Sequence, residues 1–394
     1  MTRGIDDGKG GDVVSRALAD AARRRQEDVL DDLRRLVESE TPSGDKAALD
    51  AGLADLEVWL GERLGDPAAR VRHDGGARGD VLDVTYRGTA PGAVLLLCHY
   101  DTVWPVGTLA EMPFAVDGDR ITGPGCLDMK LGIVHGVWAL RLLRELGIAH
   151  PSVRFLLTGD EEIGSRASQH HIERACAEVA ATLVLEPGRD GMVKVRRKGL
   201  GLFDVTAHGL EAHAGLDPFA GASAVHALAE LVPRITGLAD PERGTTINVG
   251  LFSGGTGRNV IAGRASCEVD VRIQDPAEMP RIDAGLAALG HADERIRIEV
   301  SGGWNRPPMN PGPPSEALFA GAREVARELG MDLAGTSVGG VSDANFVSAL
   351  GFPVLDGLGA VGAGPHSRDE HVVPSASPGQ IGLVGGLLHR LAGS

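Results

Sequence analysis

The sequence predicts an α/β fold, a sheet flanked by helices and interrupted by an inserted β-α-β-β-α-β domain. Short apolar runs rich in Val, Leu and Phe, at 93–98, 153–158, 182–185 and 352–355, alternate with helical stretches such as 131–146. That alternation builds a sheet with helices on its faces. Between 199 and 303 the order becomes strand 201–207, helix 220–235, strands 245–252 and 265–273, helix 277–289 and strand 295–301. This is the order of a split β-α-β-β-α-β unit. With 394 residues, 43% of them hydrophobic, the chain has material for two cores rather than one.

Taken in order, residues 13–40 and 46–64 carry apolar side chains at helical spacing, with Thr41-Pro42-Ser43-Gly44 as the break. The apolar runs then supply sheet strands until the insertion begins. The domain reading is 1–198 for the first part of the α/β domain, 199–305 for the insertion and 306–394 for the second part.

Composition excludes several function classes. A net charge of −15 argues against binding a phosphate backbone, which relies on Lys and Arg. Cys98, Cys126, Cys176 and Cys267 are scattered without C-x-x-C pairing, so neither a disulfide framework nor a thiolate zinc site is expected. The start, MTRGIDDGKGGDVV, lacks the layout of a signal peptide, and no apolar run is long enough to span a membrane. A cytoplasmic location without membrane or nucleic-acid partners is the expectation.

Chemistry-bearing residues follow the apolar runs. His99-Tyr100-Asp101 follows 93–98, Gly159-Asp160-Glu161-Glu162 follows 153–158, and Glu186-Pro187 follows 182–185. The Gly123-Pro124-Gly125 turn leads to Asp128, and a Gly-rich loop after 352–355 leads to His366. The carboxyl ends of strands are where open α/β sheets build their sites. Imidazole and carboxylate ligands without cysteine suit a catalytic zinc site. Five ligands, His99, Asp128, Glu162, Glu186 and His366, exceed the need of one ion. Three carboxylates and a bridging hydroxide balance two divalent cations. In the Glu161-Glu162 pair one carboxylate can bind metal while the other takes a proton from the attacking water.

Each residue alone has a plainer reading. A single histidine at a strand end is usually a hydrogen-bonded structural residue, and paired glutamates often open a helix. The joint pattern is what carries the metal reading. Two further motifs read as accidental. Residues 335–339, with Ser337 at the centre, satisfy the G-x-S-x-G nucleophile elbow of serine hydrolases, and residues 357–362 satisfy G-x-G-x-x-G without a following helix.

The stretches His99-Tyr100-Asp101-Thr102-Val103, Gly123-Pro124-Gly125-Cys126-Leu127-Asp128-Met129-Lys130, Thr158-Gly159-Asp160-Glu161-Glu162-Ile163-Gly164-Ser165, Glu186-Pro187 and Gly364-Pro365-His366-Ser367 resemble a family across nearly the whole chain. It is the zinc exopeptidases and deacylases that include glutamate carboxypeptidase, aminoacylase, acetylornithine deacetylase and succinyl-diaminopimelate desuccinylase, with glutamate carboxypeptidase the member whose pattern it follows most. The resemblance implies a mixed-sheet zinc exopeptidase catalytic domain with a ferredoxin-like lid and dimerisation domain. It implies two Zn2+ ions, with Co2+ or Mn2+ as substitutes: His99, Asp128 and Glu186 on one, Asp128, Glu162 and His366 on the other. Asp101 would orient His99, Glu161 would serve as general base and then acid, and the Asp128–Met129 peptide would be cis. In the insertion, His213 would polarise the scissile carbonyl, and Asn259 and Arg272 match further lid positions. Arg306 would grip a substrate carboxylate, with Gly339 and Gly340 bringing backbone N–H groups near it. Arg272 has a plainer reading too, as a partner of Asp270 or Asp275 on a solvated face.

Two departures from the family pattern stand out: Leu131-Gly132 where two glycines are common, and His371 where an aromatic is common. The resemblance implies release of an amino acid from a small peptide or an N-acyl amino acid, by a homodimer formed through the lid. An N-acyl-amino-acid deacylase, a serine hydrolase using Ser337 and a non-catalytic metal or ligand binder are the alternatives.

Overall fold

The computed structural model describes residues 11–393. Residues 1–10, part of the stretch read above for a signal-peptide layout, lie outside it. The described residues divide into two compact units: one of residues 11–196, 310–337 and 342–393, the other of residues 197–309 and 338–341. Among the described residues no helix is long and apolar enough to cross a membrane.

The first unit is built on an eight-stranded mixed sheet. Its strand order is Ala69–His73, Val81–Tyr86, Ser152–Thr158, Ala93–His99, Ala181–Val184, Val354–Asp356, Val193–Arg197, Gly335–Val338. Four neighbours at the centre run parallel, from Ser152–Thr158 through Ala93–His99 and Ala181–Val184 to Val354–Asp356. The run 94–99 is buried throughout, as expected of a strand covered on both faces, which therefore reads as an unbroken apolar run. Helices Gly11–Arg24, Lys46–Leu64, Leu131–Glu145 and Ser377–Arg390 pack together, and Gln169–Cys176 packs on Ala344–Ala349. Their apolar faces and the sheet form one core that includes Leu33, Trp59, Leu96, Trp138, Phe155 and Leu387.

The predicted helix 13–40 is two helices, Gly11–Arg24 and Gln26–Glu38, because Arg25 leaves helical geometry at φ −112° and ψ 20°. The predicted run 352–355 shortens to the strand Val354–Asp356, since Pro353 has no N–H for a ladder. The strands Ala69–His73 and Gly335–Val338, whose residues are mostly polar or exposed, carry no apolar run to announce them.

In the second unit the order is strand Gly199–His208, helix Ala224–Thr236, strands Thr246–Gly254 and Arg264–Ile273, helix Glu278–Ala287 and strand Arg297–Arg306. The strands form a four-stranded antiparallel sheet ordered second, third, first, fourth. A separate core of Val205, Leu228, Leu231, Val269, Val271 and Ile282 lies between helices and sheet. A two-residue ladder sets Ala212 and His213 opposite Ile261 and Val260.

Candidate active site

Three of the parallel strands end on one edge of the first unit. His99 closes Ala93–His99 opposite Thr158, and the adjoining chain after Thr158 turns into Glu161–Ile163. Glu186 follows Ala181–Val184, Asp128 comes from the segment Cys126–Lys130, and His366 sits at φ 61° in the loop after Gly362–Ala363. The Asp128–Met129 peptide is cis.

These side chains form two groups sharing one member. The Nε2 of His99 stands 3.2 Å from Oδ1 of Asp128 and 3.3 Å from Oε1 of Glu186. The Nε2 of His366 stands 3.4 Å from Oδ2 of Asp128 and 3.1 Å from Oε2 of Glu162. Asp128 therefore turns one oxygen to each imidazole. Glu161, also buried, joins His99 and Glu186 in a compact cluster.

The donors fit divalent cations. Two ligand atoms on a tetrahedral zinc, with bonds of about 2.05 Å, lie about 3.3 Å apart, the spacing seen here. An imidazolium has one N–H at Nε2, which aligns well with only one oxygen at a time, yet both histidines face oxygens of two residues. Oε1 of Glu162 is buried without a hydrogen-bond partner. A bound cation answers these features together.

The cluster also biases its own protons. Contact with Asp128, then with Glu162, carries His366 up to about 10. Burial opposes a charged His99, but Asp101, Asp128 and Glu186 outweigh it and raise the imidazole. Burial likewise opposes a charged Asp128, yet His366 and His99 hold it well below the usual carboxylate range. Glu162 is pushed up to about 7, by burial first and by Asp128 beside it, against the pull of His366.

Asp101, fully buried, does more than face an imidazole. Nδ1 of His99 lies 3.0 Å from its main-chain carbonyl and 3.5 Å from its carboxylate. The carboxylate accepts from the backbone N–H groups of Glu161 and Glu162, each at 3.2 Å, and from the Ser43 hydroxyl at 2.7 Å. One residue thus sets both the ring of His99 and the turn that carries the glutamate pair.

Two glycines explain how closely the elements meet. A Cβ on Gly132 or on Gly359 would lie 2.0 Å from the carbonyl oxygen of Leu185, the residue before Glu186. Of the two positions after Lys130, the one that needs glycine keeps it, while Leu131 is buried in the core. His371, the other departure, hydrogen-bonds the Asp369 carbonyl through Nδ1 at 2.7 Å.

Sequence reasoning passed over Glu370 and Lys194. The carboxylate of Glu370 is fully buried and accepts from the backbone N–H groups of Gly125 at 3.0 Å, Leu127 at 2.9 Å and Asp128 at 3.2 Å, and from Nε1 of Trp104 at 2.8 Å. Lys194 places Nζ 3.6 Å from Oε2 of Glu186. In the sequence Glu370 closes a polar run, Ser367-Arg368-Asp369-Glu370, and nothing in that run signals burial.

The remaining candidates belong to the second unit. His213 is exposed, and its Nδ1 accepts from the backbone N–H groups of Gly215 and Leu216, each at 3.1 Å, so the neutral ring carries its proton on Nε2. The Asn259 carbonyl accepts from Ala214 N–H at 2.9 Å, which joins the two loops. Arg272 forks onto Asp270 and reaches the Gly339 carbonyl at 3.4 Å. The Gly340 carbonyl accepts from Arg197 at 3.2 Å. Arg306 ends the strand Arg297–Arg306 and is buried, with Nη1 3.0 Å from Oδ1 of Asn305.

Ser337 lies inside the strand Gly335–Val338 at the border of the sheet. A nucleophile elbow is a sharp turn between a strand and a helix, so the serine-hydrolase geometry is absent. Gly357–Gly362 runs into the short strand Gly362–Ala363 rather than a helix.

Known proteins bear on this geometry. The model of Peptidase family M20/M25/M40 matches residues 95–389. Carboxypeptidase G2 of Pseudomonas sp. strain RS-16 is 30% identical over 95% of this chain and 92% of its own length. Succinyl-diaminopimelate desuccinylase of Gluconobacter oxydans is 28% identical over 72% of this chain and 78% of its own. Among solved structures, aminopeptidase PepT of Bacillus cereus shares the fold with a TM-score of 0.77 at 22% identity, covering 93% of this chain and 99% of that one. An M20 family metallo-carboxypeptidase of Sulfolobus solfataricus gives 0.74 at 18% identity, over 93% and 99%. The chain belongs to Peptidase family M20/M25/M40 and is a hydrolytic enzyme of that metal-dependent family.

Proposed function

We propose that the chain is a dinuclear zinc amidohydrolase that releases an amino acid from a small peptide or an N-acyl amino acid. The observation that carries this reading is the pair of imidazoles, each facing two carboxylate oxygens, with Asp128 common to both. His99, Asp128 and Glu186 would hold one ion and Asp128, Glu162 and His366 the other. When bound, the ions would acidify a shared water and polarise the scissile carbonyl.

The chain's own residues do the rest. Glu161 takes the proton of the attacking water and returns it to the leaving amine. Asp101 keeps His99 and the glutamate turn in register, and Glu370 holds the loop that bears Asp128. His213, with its Nε2 proton directed away from its own loop, donates to the carbonyl oxygen as charge builds there. Arg306 is assigned to the substrate carboxylate, with Gly339 and Gly340 beside it, and Asn259 and Arg272 are assigned to support the His213 side of the substrate.

The strand Thr246–Gly254 ends its sheet with Leu251 and Phe252 exposed, which supports pairing with a second copy. Sedimentation of the wild type beside Leu251→Glu tests it.

The class is tested by mass spectrometry of a panel of N-acyl amino acids, dipeptides and N-aroyl glutamates, incubated with zinc-loaded and with chelated protein. Zinc-dependent release of an amino acid supports the reading and separates peptidase from deacylase. Protein that contains two metals and cleaves nothing refutes it and leaves the non-catalytic binder standing.

A further inference from the structure

A cavity of about 490 Å³ opens in the first unit between the loop after Glu38 and the loop after His99, and Glu162 forms part of its wall. Pro105 and three exposed aliphatic side chains, Val103 (42%), Val106 (58%) and Ile163 (42%), also line it. Apolar area of this kind facing water in one place marks a binding surface. Because Glu162 belongs both to this wall and to the ligand groups, the apolar surface adjoins a residue that would hold an ion.

A substrate whose scissile carbonyl sits at that centre extends two ways: through the acyl substituent, or through the amino acid with its α-carboxylate. The cavity is hostile to the second. Its lining holds no Lys, Arg or His, and its charged members are the carboxylates Asp45 and Glu162. Asp45 spends its carboxylate on the N-terminus of helix Lys46–Leu64, accepting from Ala47 and Ala48. The backbone N–H groups of Ser43 and Asp45 already serve the carbonyls of Thr102 and Pro42. An anion placed here would meet apolar walls and the charge of the Asp45 carboxylate. An uncharged hydrocarbon would only shed water.

Building on the dinuclear hydrolase reading, we infer that this cavity receives the acyl side of the substrate, and that the enzyme acts on neutral, apolar alkyl or aryl acyl groups rather than on dicarboxylic ones such as succinyl. The amino acid released in the first panel is held constant, and kcat/KM is measured on its N-acetyl, N-hexanoyl, N-phenylacetyl and N-succinyl derivatives. The apolar series rises by roughly fourfold per buried methylene until the cavity is filled. The succinyl derivative is slower than the hexanoyl one by roughly tenfold or more. Val106→Lys, at an exposed position, narrows or reverses that ratio, and hexanoate and phenylacetate inhibit the wild type more strongly than succinate. Turnover with equal or better use of the succinyl derivative, or a Val106→Lys variant with the wild-type ratio, overturns the assignment alone. Absence of all turnover with two ions bound overturns the hydrolase reading and this one with it.

Discussion

Replacing Glu370 by Gln isolates what holds the loop that carries Asp128. The carboxylate accepts four hydrogen bonds in a fully buried setting, three from the backbone of residues 125–128 and one from Trp104. The amide of glutamine keeps one acceptor oxygen and turns an NH2 toward the other donors. With the oxygen kept on Leu127 and Asp128, the N–H groups of Gly125 and Trp104 meet a donor. Two buried donors left unpaired cost about 1–3 kcal/mol each, so the loss of stability is about 2–6 kcal/mol. A partner acting through Asp128 should also lower metal affinity by about 10–100-fold. Guanidinium unfolding gives the first quantity and zinc titration against a chelating dye the second. Trp104→Phe is the control, since it removes one donor, leaves the three backbone contacts, and should hardly change metal affinity. Wild-type zinc affinity in a folded Glu370→Gln protein would refute the idea that this carboxylate positions Asp128.

Other expectations follow from the same geometry. Glu161→Gln should keep fold and two bound ions while kcat falls by about 10²–10⁴-fold, measured with parallel metal analysis; a metal-loaded variant with near wild-type kcat removes Glu161 from the proton path. Ser337→Ala should leave turnover unchanged, and loss of activity there, with activity that survives a chelator, would revive the serine-hydrolase reading. Stripping the ions should lower stability by about 4 kcal/mol for each ion lost, relative to protein held at a free metal concentration about 1,000 times Kd, seen as a lower Tm in calorimetry; equal Tm values would mean the carboxylate groups do not bind metal. Asp80 supplies a pH test away from the site. Burial raises its pKa, but the Gly75 N–H, Lys46 and Arg72 outweigh it and hold the carboxyl at about 2, below the ordinary 3.8. A depressed folded-state value stabilises above the ordinary pKa and is lost as pH falls from near 4 toward 2, here about 2 kcal/mol. Denaturation from pH 6 to pH 2 should show this loss in the wild type and not in Asp80→Asn.

The parts legible in the sequence are those whose cause is local or periodic. The helix Lys46–Leu64 follows from its apolar spacing. The central strands follow from unbroken apolar runs, because burial on both faces leaves no polar alternation. Three of the five candidate ligands, His99, Glu162 and Glu186, could be picked out because open α/β sheets build their sites where parallel strands end. What tertiary structure decided is which polar groups are buried and whom they face. Glu370 is an ordinary acid in a polar loop until the fold brings four donors around it, and Asp101 becomes the link between His99 and the glutamate turn because Ser43 and residues 161–162 arrive from distant parts of the chain. Arg306 stands between an asparagine and a proline in the sequence, and only the ladder with Gly199–His208 carries the strand through it. The sharing of Asp128 between two imidazoles is likewise set by packing: the order of residues names the donors, and only the meeting of loops after separate strands places one carboxylate oxygen toward each ring.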